Sequence, residues 1–224
     1  YDVSVFEKNK TLGGRASQFK AKGFTFDMGP SWYWMPDVFE RFFNDFGKNR
    51  SDFYTIKKLD PGYRVVFDKK NQIQIGDDLD KIAFEFEKIE KGSGKKLKNF
   101  IKKAKNNYEL AVTNMLYKMP GKSILELINI DTIFKVNLFF KNIKNDVEKT
   151  FKDERLRSIL QFPVLFLGAK PSNTPAFYNF MNYADFGLGT WQPKNGFYDV
   201  VRAMVEIGKN NGVKFHTNCD VQKI

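Results

Sequence analysis

The chain contains a single cysteine, Cys219, and a single histidine, His216. One cysteine excludes an intramolecular disulfide and fits a reducing compartment. With one histidine beside it, no Cys/His set stands at metal-ligand spacing, and no Ser–His–Asp constellation can be assembled. His216 lies in a short strand pattern, Gly212-Val213-Lys214-Phe215-His216, and reads as structural. No stretch approaches the roughly 18 apolar residues of a membrane-spanning helix. Ile133 to Phe140 is apolar, but Lys135 and Asn137 interrupt it and Lys141 follows. Tyr1-Asp2 opens without the basic and apolar layout of a secretion signal. Internal repeats and low-complexity linkers are also missing.

What is present is apolar mass and positive charge. Of 224 residues, 42% are hydrophobic and 24 are Phe, enough for a sizeable core. The net charge is +11, from 37 basic against 26 acidic residues. Much of that surplus sits in helical stretches such as Lys95 to Lys105, where the plain reading is a solvated face. Attraction to anionic lipid is the second reading. No nucleic-acid motif accompanies the charge, so no nucleic-acid partner is expected.

The patterning predicts an α/β chain. Asp2 to Phe6 reads as a strand, Leu12 to Ala16 as a glycine loop, and Ser17 to Phe26 as a hairpin around Gly23. Pro36 starts a helix whose Phe39, Phe42, Phe43 and Phe46 share a face, and Gly47 stops it. Asp52 to Ile75 reads as a three-strand meander. Helical patterning runs from Asp78, breaks at Gly92-Ser93-Gly94, and continues to about Met119. Further helices are expected over Ser123–Ile128, Ile133–Phe140, Asn145–Leu160, Pro175–Tyr183 and Phe197–Lys209, and a last strand near Val221. Thr174 or Asn173 is the expected cap of the Pro175 helix. This layout places nucleotide-domain pieces at residues 1–50 and 186–224, around a sheet-plus-helices insert at 51–185.

Three motifs bear on chemistry. Glu7 ends the first strand, where a carboxylate can accept the hydroxyls of a ribose. Gly13-Gly14-Arg15 follows; glycines admit a pyrophosphate close to the backbone and Arg neutralises it. Taken alone, these are also a surface Glu and a tight turn with an exposed Arg. A dinucleotide strand carries a glycine-rich turn about 20 residues before its acid. That turn would precede Tyr1, so an internal fragment of a larger flavoprotein is expected. Asp153-Glu154-Arg155-Leu156-Arg157 offers an acid and a base, or simply a salt-bridged helix start. Gly92-Ser93-Gly94-Lys95-Lys96 fails the phosphate-loop pattern and reads as a helix break. Trp32-Tyr33-Trp34 reads as core, with a greasy channel wall as the alternative.

Several stretches together resemble the bacterial-type phytoene desaturases, FAD-dependent carotenoid desaturases of the amine-oxidase-like flavoprotein superfamily. They are Val5-Phe6-Glu7-Lys8-Asn9, Gly13-Gly14-Arg15-Ala16, and Gly23 through Tyr33 with its Asp27-Met28-Gly29-Pro30-Ser31 core. Leu59-Asp60-Pro61-Gly62-Tyr63, Thr174-Pro175-Ala176 and Trp191-Gln192-Pro193-Lys194-Asn195-Gly196 agree. The resemblance covers essentially the whole chain. It implies a truncated Rossmann-like FAD-binding domain with an inserted substrate domain. It implies FAD as cofactor, Glu7 on the adenosine ribose, and Gly13, Gly14 and Arg15 near the pyrophosphate. Gly29, Pro30 and Ser31 would lie close to the flavin, and Trp191 and Pro193 in a loop approaching the ring. Asp153 and Arg157 are the implied catalytic candidates beside a polyene. The chain departs from the family pattern at Gln192, where an aromatic is usual, and at Asn195, where glycine is usual.

The implied reaction removes a hydride and a proton from neighbouring carbons of a phytoene-like polyene, in the full-length parent. The implied partners are that long apolar substrate and a membrane surface, met peripherally at the inner, cytoplasmic face. Alternatives are a carotenoid isomerase, an amine oxidase, or a non-catalytic peripheral lipid-binding remnant.

Overall fold

The computed structural model describes residues 1–118 and 140–224, with the side chains of Asn114, Met115 and Lys118 also left aside. The expected helices Ser123–Ile128 and Ile133–Phe140, and the helix end at Met119, lie outside the described residues, Phe140 itself excepted. The fold is mixed α/β and divides into two compact units. One comprises Tyr1–Lys58 with Trp191–Ile224; the other comprises Leu59–Thr190.

In the first unit, β1 (Ser4–Phe6) pairs in parallel with β8 (Lys214–His216), in register Ser4↔Lys214. A parallel neighbour so distant in sequence requires a long crossover. His216 stacks on Phe6 with ring centroids 4.9 Å apart, a packing role. β2 (Ser17–Ala21) and β3 (Phe24–Met28) form the expected antiparallel hairpin about Lys22-Gly23. Helix α1 (Pro36–Asp45) starts on its proline, which lacks the N–H a first turn cannot use. Its Phe43 is fully buried with Tyr33, Tyr54, Val200, Ala203 and Ile207. Tyr33 therefore belongs to the core, and Trp32 and Trp34 flank it half-buried. Inside this core the Tyr33 and Tyr54 hydroxyls lie 2.9 Å apart. Burial pushes the Tyr54 phenol up to about 12 and Tyr33 higher still, so both stay neutral hydrogen-bonding groups.

The expected meander is not formed. Strand β4 (Ile56–Lys58) pairs with β7 (Trp191–Pro193), and only β5 (Tyr63–Val66) and β6 (Gln72–Ile75) make a hairpin. The alternation over residues 52–75 reports strand character but not partner choice. The pairing of β4 with β7 also sets the unit divisions at 58/59 and 190/191, beyond the expected 50/51 and 185/186.

The second unit buries β6 under α2 (Leu79–Ile89), α3 (Ser93–Tyr108), α4 (Ile143–Thr150) and α5 (Glu154–Gln161). Asp78 caps α2 through the Lys81 N–H, and Gly92 marks the expected break before α3. The single helix expected over Asn145–Leu160 is two. Asn142 accepts from Asn145 N at α4, and Asp153 accepts from Arg155 N at α5. Phe151, wholly buried between them, meets Phe86 and Phe100 edge-on at 6.2 Å each. The Pro175–Tyr183 helix is also irregular: a 3₁₀ turn at Ala176–Asn179 leads into a π-helical turn at Tyr183–Gly187. Thr174 does not cap it; its hydroxyl donates to the Lys170 carbonyl. Residues 221–224 form no strand.

Phe151→Ala removes the ring on which α2, α3, α4 and α5 converge. Equilibrium denaturant unfolding is expected to show a loss of roughly 3–5 kcal/mol, whereas the exposed Phe84→Ala is expected to change stability by less than about 1 kcal/mol.

Candidate functional site

The glycine-arginine loop closes on itself. The Gly13 carbonyl accepts the Ala16 N–H at 2.9 Å, leaving Gly14 and Arg15 as the centre of a tight turn. Nothing lies within 4 Å of where a Gly14 side chain would start. Arg15 is exposed, and its guanidinium is engaged with no carboxylate or carbonyl among the described residues. This loop is therefore open on one face, with a free cation at its tip.

Its other face is packed. Gly29, at φ +113°, brings its Cα so near the loop that a Cβ would stand 2.0 Å from the Arg15 carbonyl oxygen. Only glycine permits that approach and that dihedral. The Tyr198 hydroxyl donates to the Leu12 carbonyl at 3.0 Å, tying the start of the loop to α6 (Tyr198–Asn210).

Asp27 completes the assembly. Its carboxylate, at the end of β3, accepts from the backbone N–H of Phe197 at 2.5 Å and more weakly from that of Tyr198 at 3.4 Å. These are orphan donors at the start of α6, so Asp27 caps a helix 170 residues away and places a negative charge at its positive end. Gly196, at φ +99°, makes the approach possible, because a Cβ there would sit 2.4 Å from Asp27 Oδ2. The two stretches Asp27-Met28-Gly29 and Asn195-Gly196-Phe197 thus meet through a carboxylate and a missing side chain. In the sequence Asp27 carries one signal, an acid followed by Met-Gly-Pro, with nothing that points to its partner.

The other sequence-derived candidates fall as follows. Glu7 follows β1, and its Oε1 accepts the backbone and side-chain N–H groups of Asn9, both at 2.7 Å. That turn fixes the carboxylate and leaves Oε2 for another donor. Pro30 and Ser31 are exposed beside Gly29. Trp191 is half-buried: its backbone exchanges hydrogen bonds with Tyr33 at 3.0 and 3.1 Å, and Lys58 Nζ stands 5.8 Å from its ring. Pro193 is buried. Gln192 and Asn195 are exposed, and the backbone around them forms β7 and the Gly196 turn without an aromatic or a second glycine.

Asp153 and Arg157, in the second unit, are engaged at helix ends. Asp153 accepts from Arg155 N and from Arg155 Nη2 at 2.8 Å, and this pairing holds its carboxyl below the usual range. Arg157 donates to the Phe151 carbonyl at 2.8 Å and to Glu154 at 2.5 Å, bracing the kink between α4 and α5. The same unit holds a buried acid that sequence reading missed: Asp185, between Ala184 and Phe186, accepts from the Tyr63 hydroxyl at 2.5 Å.

A half-buried carboxylate just after β1, an open glycine turn and an unengaged guanidinium offer the acceptor and donors that fit the ribose and diphosphate of FAD. Among curated proteins, the chain is 41% identical to a carotenoid 3,4-desaturase of Haloarcula japonica, and 31% identical to a zeta-carotene-forming phytoene desaturase of Myxococcus xanthus. It is also 31% identical to a 4,4'-diapophytoene desaturase of Staphylococcus haemolyticus. All three alignments cover the whole chain but 46%, 44% and 45% of those proteins, so the chain spans about half the length of these relatives. A solved oxidoreductase of Methanosarcina mazei superposes at TM-score 0.52 and 19% identity, over 100% of this chain and 47% of that one. A putrescine oxidase superposes at 0.52 and 13%, over 94% and 44%; these two likenesses show the fold.

Asp27→Ala is expected to cost about 1–2 kcal/mol through the lost cap, and Gly196→Ala about 1–3 kcal/mol through strain and collision. In a double-mutant cycle read by thermal unfolding, Gly196→Ala is expected to cost less when Asp27 is already Ala. Additive losses would contradict the collision. Residues 1–224 match, end to end, the family described as flavin containing amine oxidoreductase, and the chain belongs to that family, whose cofactor is FAD.

Proposed function

We propose that this chain supplies half of an FAD-dependent carotenoid desaturase acting on a phytoene-like polyene. The open Gly13-Gly14-Arg15 turn, pinned by Gly29 and Asp27, is the observation that carries the cofactor side. The desaturase relatives carry the substrate side. The first unit is the nucleotide-binding part, Rossmann-like in its parallel β1–β8 pair, and the second is an inserted substrate part. When bound, FAD supplies the two-electron oxidant that takes a hydride from an allylic carbon, while the neighbouring carbon loses a proton and a C=C bond forms.

The protein's own residues bind and orient. Arg15 neutralises the diphosphate, the backbone about Gly14 approaches it, and Glu7 Oε2 accepts a ribose hydroxyl. Gly29, Pro30 and Ser31 continue the cofactor wall, and Trp191 and Pro193 stiffen the strand behind Tyr33. Asp153 caps α5, and Arg157 ties α5 to the end of α4.

A membrane surface is the proposed source of so apolar a substrate. No described helix is long and apolar enough to cross a membrane. Leu165, Phe166 and Leu167 are, however, 53%, 55% and 43% exposed on one short 3₁₀ turn, with Lys170 just beyond. Such a turn suits shallow insertion among anionic headgroups.

The protein carrying this chain, expressed in cells that accumulate phytoene, is expected to consume phytoene and yield more conjugated products by chromatography. An unchanged phytoene pool would sink the reading. Arg15→Met is expected to weaken FAD binding by about 10- to 100-fold in a fluorescence titration, the worth of one charge-assisted contact. Replacing Leu165 and Phe166 by Glu is expected to lower sedimentation with phosphatidylglycerol vesicles by at least about tenfold.

A further inference from the structure

The second unit buries polar groups that its helices do not satisfy. Asn182 is wholly buried, and neither atom of its carboxamide has a partner. Asp185 is 2% exposed; Oδ2 accepts from Tyr63, and Oδ1 has no partner. The two residues stand three apart at the entry to the π-helical turn Tyr183–Gly187. Burial with no cation beside it among the described residues disfavours an ionised Asp185. A carboxylate offers only acceptors, and the Asn182 carbonyl is a second acceptor with nothing to accept from. A proton on Asp185 Oδ1 supplies the missing donor.

We propose that Asp185 is an internal proton-binding site, folded as a neutral carboxylic acid that accepts from Tyr63 through Oδ2 and offers its own proton to the Asn182 carboxamide, directly or across one water. The surroundings agree. β5 presents Tyr63, the Thr190 hydroxyl bears on the same carboxyl, and α3 presents Tyr108 against Tyr183. α2 contributes Ile82, Ala83 and Phe86 to the core that Phe186 joins. No charged side chain among the described residues contributes to the titration of Asp185. Burial lifts its carboxyl from 3.8 to about 7, net of the smaller downward pull of the Tyr63 and Thr190 hydroxyls. The folded value lies above the unfolded one. The neutral acid therefore contributes its full stability at low pH, and that contribution is lost as pH rises through about 7. The site makes the turn that leads to Gly189 and Thr190 a pH-sensitive latch, independent of what the first unit binds.

The infrared spectrum of the folded protein at pH 5 is expected to carry a protonated-carboxyl band that disappears across a window near pH 7 and is missing from Asp185→Asn. Unfolding midpoints of the natural protein are expected to fall between about pH 4 and 7 more steeply than those of Asp185→Asn, which keeps an acceptor for Tyr63. Tyr63→Phe, which removes the donor favouring the anion, is expected to move the infrared titration to higher pH. Loss of the band near pH 4, or its persistence in Asp185→Asn, would overturn the proposal even if a variant proved unstable.

Discussion

The first unit is organised around one carboxylate. Asp27 sits at the end of a short exposed hairpin and reaches the first N–H groups of α6. The helix gains the acceptor its first turn lacks, and the hairpin gains an anchor in the core through Val200, Ala203 and Ile207. Everything local follows from that contact. Gly196 must be glycine because the carboxylate occupies the place of its side chain. Gly29, two residues on from Asp27, is then held against the Arg15 carbonyl, which fixes the packed face of the loop and leaves Gly14 and Arg15 outward.

The second unit is built on the opposite economy of polar groups. Its core is phenylalanine and branched aliphatics, and helix ends are closed by Asn142, Asp153 and Asp78. Within that frame the Asn182–Asp185 segment is the exception, with buried polar atoms at a turn whose backbone is already irregular. A π-helical turn shifts the side chains after it relative to an α-helix, and such turns accompany functional positions. A neutral acid avoids a buried charge there, whose desolvation would cost several kcal/mol.

The sequence made local features legible and distant pairings less so. Pro36, the Phe stripe and Gly47 define α1 because start, face and stop are all encoded within a dozen residues. Lys22-Gly23 defines the hairpin for the same reason. The glycine-arginine loop and Glu7 were readable as a possible nucleotide site from residue type alone. Partner choice was not readable: β4 alternates like a meander strand, but its hydrogen bonds go to β7, more than a hundred residues later. Asp153 and Arg157 are named as catalytic by the family resemblance alone; their local sequence signals a helix start, which Asp153 caps and Arg157 braces. The roles of Asp27 and Asp185 carry no local signal because their partners, Phe197 and Tyr63, are remote in sequence.

The most direct measurement is a single-turnover reduction. The protein carrying this chain, loaded with FAD, is mixed without oxygen with phytoene in lipid vesicles while the flavin absorbance is followed. The expected result is loss of the oxidised flavin band together with one new conjugated double bond per flavin reduced. A flavin that stays oxidised in the presence of membrane-dissolved phytoene would contradict the assignment.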